Sequence, residues 1–89
     1  MLPRPHPAVV FRTVSEGAVL LQMEEEVYFG LNAVGGRIWQ LLPPECSDLD
    51  ELCLRLSESY PEVEPAALRG DVLELLEQLK EHNLVAEPE

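Results

Sequence analysis

Residues 28–42 have the sequence YFGLNAVGGRIWQLL, in which a strand pattern changes to a helix pattern at Asn32. The residues before Asn32 are rich in β-branched, aromatic and other large apolar types, as is typical of a strand. After it, apolar residues recur at the i, i+4, i+7 and i+8 spacing of one helix face, namely Val34, Ile38, Leu41 and Leu42. Asn is a favourable N-cap, and two prolines follow Leu42. The segment therefore predicts a strand that leads directly into a helix.

Two further strands are predicted before this segment. Residues 9–14 (VVFRTV) and 18–23 (AVLLQM) have strand composition, and the Ser15-Glu16-Gly17 cluster between them is typical of a turn. With residues 26–31 as a third strand, the short connections favour an antiparallel sheet. Residues 1–8 are rich in proline, and we expect them to form a flexible tail.

Two more helices are predicted after Pro43-Pro44. The first begins at Ser47 or Asp48 as N-cap and stops at Pro61; the next has Pro65 in its first turn and ends near Asn83, which tolerates a left-handed conformation. We therefore predict an α+β fold, a three-stranded antiparallel sheet followed by three helices, as one domain over residues 9–85 with a C-terminal tail at 86–89. The expected core contains Val34, Ile38, Trp39, Leu52, Leu56, Leu75 and Leu79.

The composition excludes several classes of partner. The 89 residues carry a formal charge of −11, which repels both a phosphate backbone and an anionic membrane surface. No apolar run resembles a signal peptide or a membrane span, so we expect a cytoplasmic protein that binds neither nucleic acid nor membrane. A protein or peptide partner remains open.

No grouping of residues predicts catalysis. Cys46 and Cys53 lack the short spacing to a second Cys or His that zinc sites show; Cys53 is expected in the core, and Cys46 receives no role. The two histidines, His6 and His82, lie in the N-terminal tail and at a helix end. We expect no metal, no cofactor and no enzymatic activity.

The third predicted helix has an unusually wide apolar arc. With about 100° per residue, its leucines and valine spread beyond one core contact, and Leu73 lies furthest round. Arg69 and Lys80 lie at the edge of this arc, where they would favour an acidic ligand. The alternative is that Leu73 is a singly exposed leucine and that the two cations form ion pairs with neighbours on the helix.

The third strand completes a candidate peptide-binding site. If it lies at the sheet edge, its backbone is free to pair with an extended peptide beside the apolar helix flank. Alternation places Val27 and Phe29 on one face and Tyr28 on the other. The predicted peptide-binding residues are Val27, Tyr28, Phe29, Leu68, Arg69, Val72, Leu73, Leu76 and Lys80.

Residues 28–42 also resemble the central signature of the PqqD-like family, especially at the Leu31-Asn32 step and the Ile38-Trp39 pair. The likeness extends from Val9 to Val85 and includes Asp71-Val72 and Leu84-Val85. Where relatives commonly carry Gly before the final Leu-Val, this chain has Asn83.

The resemblance implies a winged-helix-like RiPP recognition element that binds the leader of a ribosomally made precursor peptide between its third strand and third helix. The sequence Phe-Gly-Leu-Asn-Ala-Val-Gly is most similar to that of the free-standing family members that act in lasso-peptide biosynthesis. In those systems a separate cysteine peptidase receives the leader, and an ATP-dependent macrolactam cyclase closes the ring. The alternatives are recognition for a radical-SAM or other RiPP pathway and, from another class, a winged-helix DNA-binding module.

Overall fold

The computed structural model describes residues 2–86, which form a three-stranded antiparallel sheet, three helices and a small two-stranded sheet. The larger sheet has the order β2-β3-β4, and its strands are β2 (Val9–Val14), β3 (Gly17–Gln22) and β4 (Val27–Asn32). Strand β1 (Arg4–Pro5) pairs with β5 (Val85–Ala86). The predicted α+β class, with three strands followed by three helices, is confirmed.

The helices begin where the capping residues indicate. Asn32 caps α1 (Ala33–Leu41): its side-chain oxygen accepts a hydrogen bond from the amide of Gly35 at 2.7 Å. Of the two candidate caps of α2 (Leu49–Ser59), Asp48 makes the equivalent bond, to the amide of Glu51 at 2.8 Å. Each bond satisfies an amide that the first helical turn leaves without a partner.

Helix α3 (Pro65–Glu81) starts at a proline and ends at a left-handed residue, as predicted. Asn83 has φ 57°, and the amide of Leu84 bonds back to the carbonyl of Leu79 at 2.9 Å. This turn reverses the chain and directs Leu84 and Val85 into the core.

The N-terminal segment is part of the packed domain, which corrects the expected tail. Leu2 is only 3% exposed, Arg4 pairs with Ala86, and the amide of His6 donates to the carbonyl of Leu84 at 3.0 Å. The extended backbone that proline favours is also the backbone of a strand, so β5 can bind this segment. Of the C-terminal tail predicted at 86–89, Ala86 lies in β5 and residues 87–89 lie outside the described residues.

The core lies between the sheet and the helices, with α1 packed on the inner sheet face. A Cβ at Gly36 would lie 3.4 Å from the Cβ of Ala18, so α1 lies within van der Waals reach of β3 at this point. Of the predicted core residues, Val34 and Leu75 are only half-buried, and the others are buried: Ile38, Trp39, Leu52, Leu56 and Leu79. Cys53, which is expected in the core, is half-buried and packs against it, whereas Cys46, which received no role, is fully buried.

Candidate functional site

Strand β4 has an open edge. It pairs with β3 on one side, and within residues 2–86 no strand pairs with its other side. The amides and carbonyls on that side are therefore available to another extended chain. The condition on which the predicted peptide-binding site depended, that the third strand of the sheet lies at its edge, is therefore met.

A groove of about 310 Å³ lies between this edge and α3. Its apolar surface comes from β4, α1 and one leucine of α3, namely Phe29, Leu31, Val34, Ile38 and Leu75. Its polar wall comes from α3 and contains Asp71, Glu74 and Gln78. A strand edge beside an apolar depression is suited to an extended peptide, whose backbone pairs with the edge and whose alternate side chains enter the depression.

Helix α3 presents two distinct stripes. Leu68, Val72, Leu76 and Leu79, spaced by three or four residues, are 0–7% exposed and form its core face. Asp71, Glu74, Leu75 and Gln78, at i, i+3, i+4 and i+7, form the face that borders the groove. Leu68 and Val72 are enclosed in the core, and Leu76 is 7% exposed and borders a different depression, so these three predicted peptide contacts do not line the groove.

The other predicted α3 contacts also lie outside the groove lining. Arg69 donates to Asp50 of α2 at 3.0 Å, which directs it toward the neighbouring helix. Leu73, 48% exposed, lines a separate shallow depression together with Leu76 and Lys80. The alternative of an exposed leucine with ion-paired cations therefore describes Leu73 and Arg69, although the partner of Arg69 is on α2.

The predicted contacts on β4 divide between two faces, as alternation requires. Phe29 is half-buried and lines the groove, and Val27, on the same face, is 39% exposed. Tyr28 is 72% exposed on the opposite face, where it borders a small apolar depression with Val19 and Leu21. Tyr28 therefore does not line the groove.

Contacts around the C-terminal end of α3 fix one end of the groove. The ring of His82 lies 5.1 Å from that of Phe29, and its Nδ1 is 2.8 Å from the carbonyl oxygen of Gln78. The buried amide of Gln22 donates to the carbonyl of Asn83 at 3.0 Å and accepts from the amide of Glu24 at 2.8 Å. These bonds join the β3–β4 hairpin to the end of α3.

The sequence prediction missed the polar wall of the groove. It gave Asp71, Glu74 and Gln78 no part in binding, and it placed the half-buried Val34 and Leu75 in the core. A signal was present in the i, i+3, i+4, i+7 spacing of this stripe. Periodicity alone does not say which stripe of a helix turns toward a strand edge.

The cysteines do not provide an exposed nucleophile. Burial raises the pKa of the Cys46 thiol, and the nearby Arg55 guanidinium, with Nη1 4.0 Å from Sγ, opposes this only in part. Burial likewise raises the pKa of Cys53. In the part of the chain that the structure describes, no three His, Cys, Asp or Glu side chains cluster as metal ligands would, and no helix is long and apolar enough to span a bilayer.

The chain matches known proteins along this whole fold. The family model for coenzyme PQQ synthesis protein D (PqqD) matches residues 17–85, from β3 to β5. The chain belongs to the PqqD family. Among solved structures, this PqqD-family chain is similar to TbiB1 in complex with the TbiA(beta) leader peptide, with 32% identity, 92% of this chain and 93% of that chain covered, and a TM-score of 0.79.

A second solved structure is a lasso peptide synthetase B1 complexed with the leader peptide, with 32% identity, 96% of each chain covered and a TM-score of 0.75. A sequence comparison with curated proteins gave no match. The resemblance to the PqqD-like family is thereby confirmed. In this PqqD-family chain most signature residues build the fold: Asn32 caps α1, while Ile38 and Trp39 lie in the core.

Proposed function

We propose that this chain is a recognition element that binds the leader of a ribosomally synthesised precursor peptide and presents it to a separate cysteine peptidase in lasso-peptide biosynthesis. The observation that supports this most directly is the open edge of β4 beside an apolar groove, in a chain that superposes on a lasso peptide synthetase B1 complexed with the leader peptide. The leader adds a strand to β4.

Affinity and selectivity come from different parts of this site. Backbone pairing along β4 supplies hydrogen bonds that depend little on the leader sequence. Selectivity comes from the groove, where Phe29 and Leu75 are half-buried and bury further surface when an apolar side chain enters between them. Val27, at the start of β4, contacts the same side of the leader.

The chain acts by binding alone, and its enzymes are separate proteins. The leader peptidase receives the bound leader, and the ATP-dependent macrolactam cyclase acts on the same precursor. These reactions take place in the cytoplasm. Reconstitution with purified peptidase tests this step: the chain should accelerate leader removal from a bound precursor and should release no product without the peptidase.

Fluorescence polarisation with labelled TbiA(beta) leader and with the leader of the cognate precursor tests binding. Leu75→Ala should weaken binding about fivefold, because it removes about 1 kcal/mol of apolar burial. Leu73→Ala makes the same chemical change on another side of α3 and should leave binding unchanged. Equal effects of the two variants, with both folded by circular dichroism, would argue against the groove.

Strand addition has its own test. Methylating the leader amides one at a time removes single backbone donors, and every second methylation should weaken binding strongly, because alternate amides of an added strand face β4. Amide chemical-shift changes on adding leader should concentrate in residues 27–32 and 71–78. Changes confined to α2 or to β2 would contradict the proposal.

The alternatives differ in partner. A role in a radical-SAM or other RiPP pathway uses the same groove, and reconstitution with the respective enzymes separates it from the lasso pathway. DNA binding requires a basic recognition helix, whereas the exposed positions of α3 include Asp71, Glu74, Glu77 and Glu81. Tight duplex binding in a low-salt gel shift would favour the DNA-binding alternative.

A further inference from the structure

The charges that line the groove all have one sign. Asp71 and Glu74 stand on its α3 wall, and within residues 2–86 no Lys or Arg lines it. Neither carboxylate forms an ion pair within the described part of the chain. The sequence had favoured an acidic ligand through Arg69 and Lys80, but Arg69 binds Asp50 and Lys80 borders a different depression. The sign of the expected ligand charge is therefore reversed.

We propose that the groove selects leaders that place a Lys or Arg side chain against Asp71 and Glu74, beside an apolar side chain that inserts between Phe29 and Leu75. This inference rests on the proposed function and names the class of leader that the site takes. The two carboxylates are three residues apart on one helix face, so one cationic side chain can approach both.

Strand geometry adds a constraint on the leader sequence. In a strand paired to β4, alternate side chains point to the same face, so only every second leader residue enters the groove. The residue numbers of the cation and of the apolar anchor in the leader must therefore differ by an even number. A leader with the two at odd spacing presents one of them to the outer face of the sheet, near Tyr28.

The magnitude of the effect follows from the exposure of the carboxylates. Both are exposed, so each ion pair changes the affinity by about fivefold at most and is screened by salt. The apolar anchor supplies most of the affinity, and the cation supplies discrimination between leaders. Because the whole chain carries a charge of −11, general attraction of cationic peptides must be separated from this local effect.

The experiment uses peptides selected from a random 15-residue display library on the immobilised wild-type chain. Each selected peptide is remade with Lys or Glu at every position in turn, and its affinity is measured by fluorescence polarisation. The test variant is Asp71→Asn with Glu74→Gln. The control is Glu58→Gln with Glu62→Gln, which removes the same charge at exposed positions outside the groove lining.

We expect one or two positions of each peptide to prefer Lys over Glu by roughly fivefold at low salt, from about 1 kcal/mol of ion pairing. The test variant should abolish that preference and the control should keep it. The reversed variant, Asp71→Lys with Glu74→Lys, should prefer Glu at the same positions. An equal loss in test and control variants, or no preference at any position, would overturn the inference.

The same peptides separate this inference from the proposed function. Some selected peptides could change the amide chemical shifts of β4 without showing a charge preference that depends on Asp71 and Glu74. That result would leave the proposed function intact and would contradict only the inference. If the selected peptides changed no amide chemical shift in β4, both the proposed function and the inference would be contradicted. Circular dichroism of every variant confirms that affinities are compared among folded proteins.

Discussion

Gly17 and Gly70 have opposite surroundings. A Cβ at Gly17 would overlap the carbonyl oxygen of Leu31 on the paired strand, and backbone cannot move aside as a flexible side chain can. A Cβ at Gly70, inside α3, would meet no atom within 4 Å. The first glycine is required by packing between β3 and β4, whereas the second only lowers helix propensity.

We expect Gly17→Ala to lower the free energy of unfolding by about 1–3 kcal/mol, the usual cost of forcing extra volume into a packed site. Gly70→Ala is the matched control, because the added atoms are the same; it should raise the free energy of unfolding by about 1 kcal/mol. Urea denaturation measures both. A tolerated Gly17→Ala would mean that β3 and β4 lie further apart than described.

Single residues also show what the sequence could and could not predict. The cap at Asn32 and the left-handed turn at Asn83 depend on a residue's own chemistry and its neighbours, and both are found where predicted. Leu75 and Leu68 have the same chemistry and lie within one apolar arc. Which of them meets the core depends on how α1 and α2 pack against α3, which helical periodicity does not contain.

At the level of elements, β1 is the feature that local sequence did not reveal. It is two residues long and pairs with β5, whose position depends on the reversal of the chain after α3. No pattern within residues 1–8 indicates that partner. The burial of Leu2 shows that this segment completes the core.

Leu2→Ala should therefore lower the free energy of unfolding by about 2–4 kcal/mol, as for other buried leucines. Leu54→Ala is the matched control, since Leu54 is 65% exposed on α2 and should tolerate the change. Chemical denaturation provides the comparison. If the two variants were equally stable, Leu2 would not be part of the core in solution.

At the scale of the whole molecule, charge repulsion opposes folding. Seventeen acidic residues outnumber six basic ones, and the two Arg–carboxylate ion pairs identified between described residues, Arg55–Glu45 and Arg69–Asp50, involve exposed carboxylates. Salt screens the repulsion over distances of about 10 Å or more at 0.1 M. Salt also weakens the ion pairs, but exposed ion pairs contribute little to the free energy of unfolding, so their screening costs little stability.

The thermal midpoint should consequently rise by several degrees when NaCl is increased from about 0.02 to about 0.5 M. Differential scanning fluorimetry measures this, and KCl should give the same result if screening is the cause. A midpoint that falls with salt would mean that favourable ion pairs outweigh the net repulsion.

The pairing of Arg4 with Ala86 also has a consequence for protein engineering. Opposed residues of an antiparallel pair lie about 5 Å apart, so the chain enters and leaves the domain at nearly the same point. A domain with this geometry can be fused to either end of another protein with linkers of similar length. If the domain were fused to a biosynthetic enzyme, it could be moved from one terminus of the enzyme to the other. The distance between its groove and the point of attachment would stay nearly unchanged.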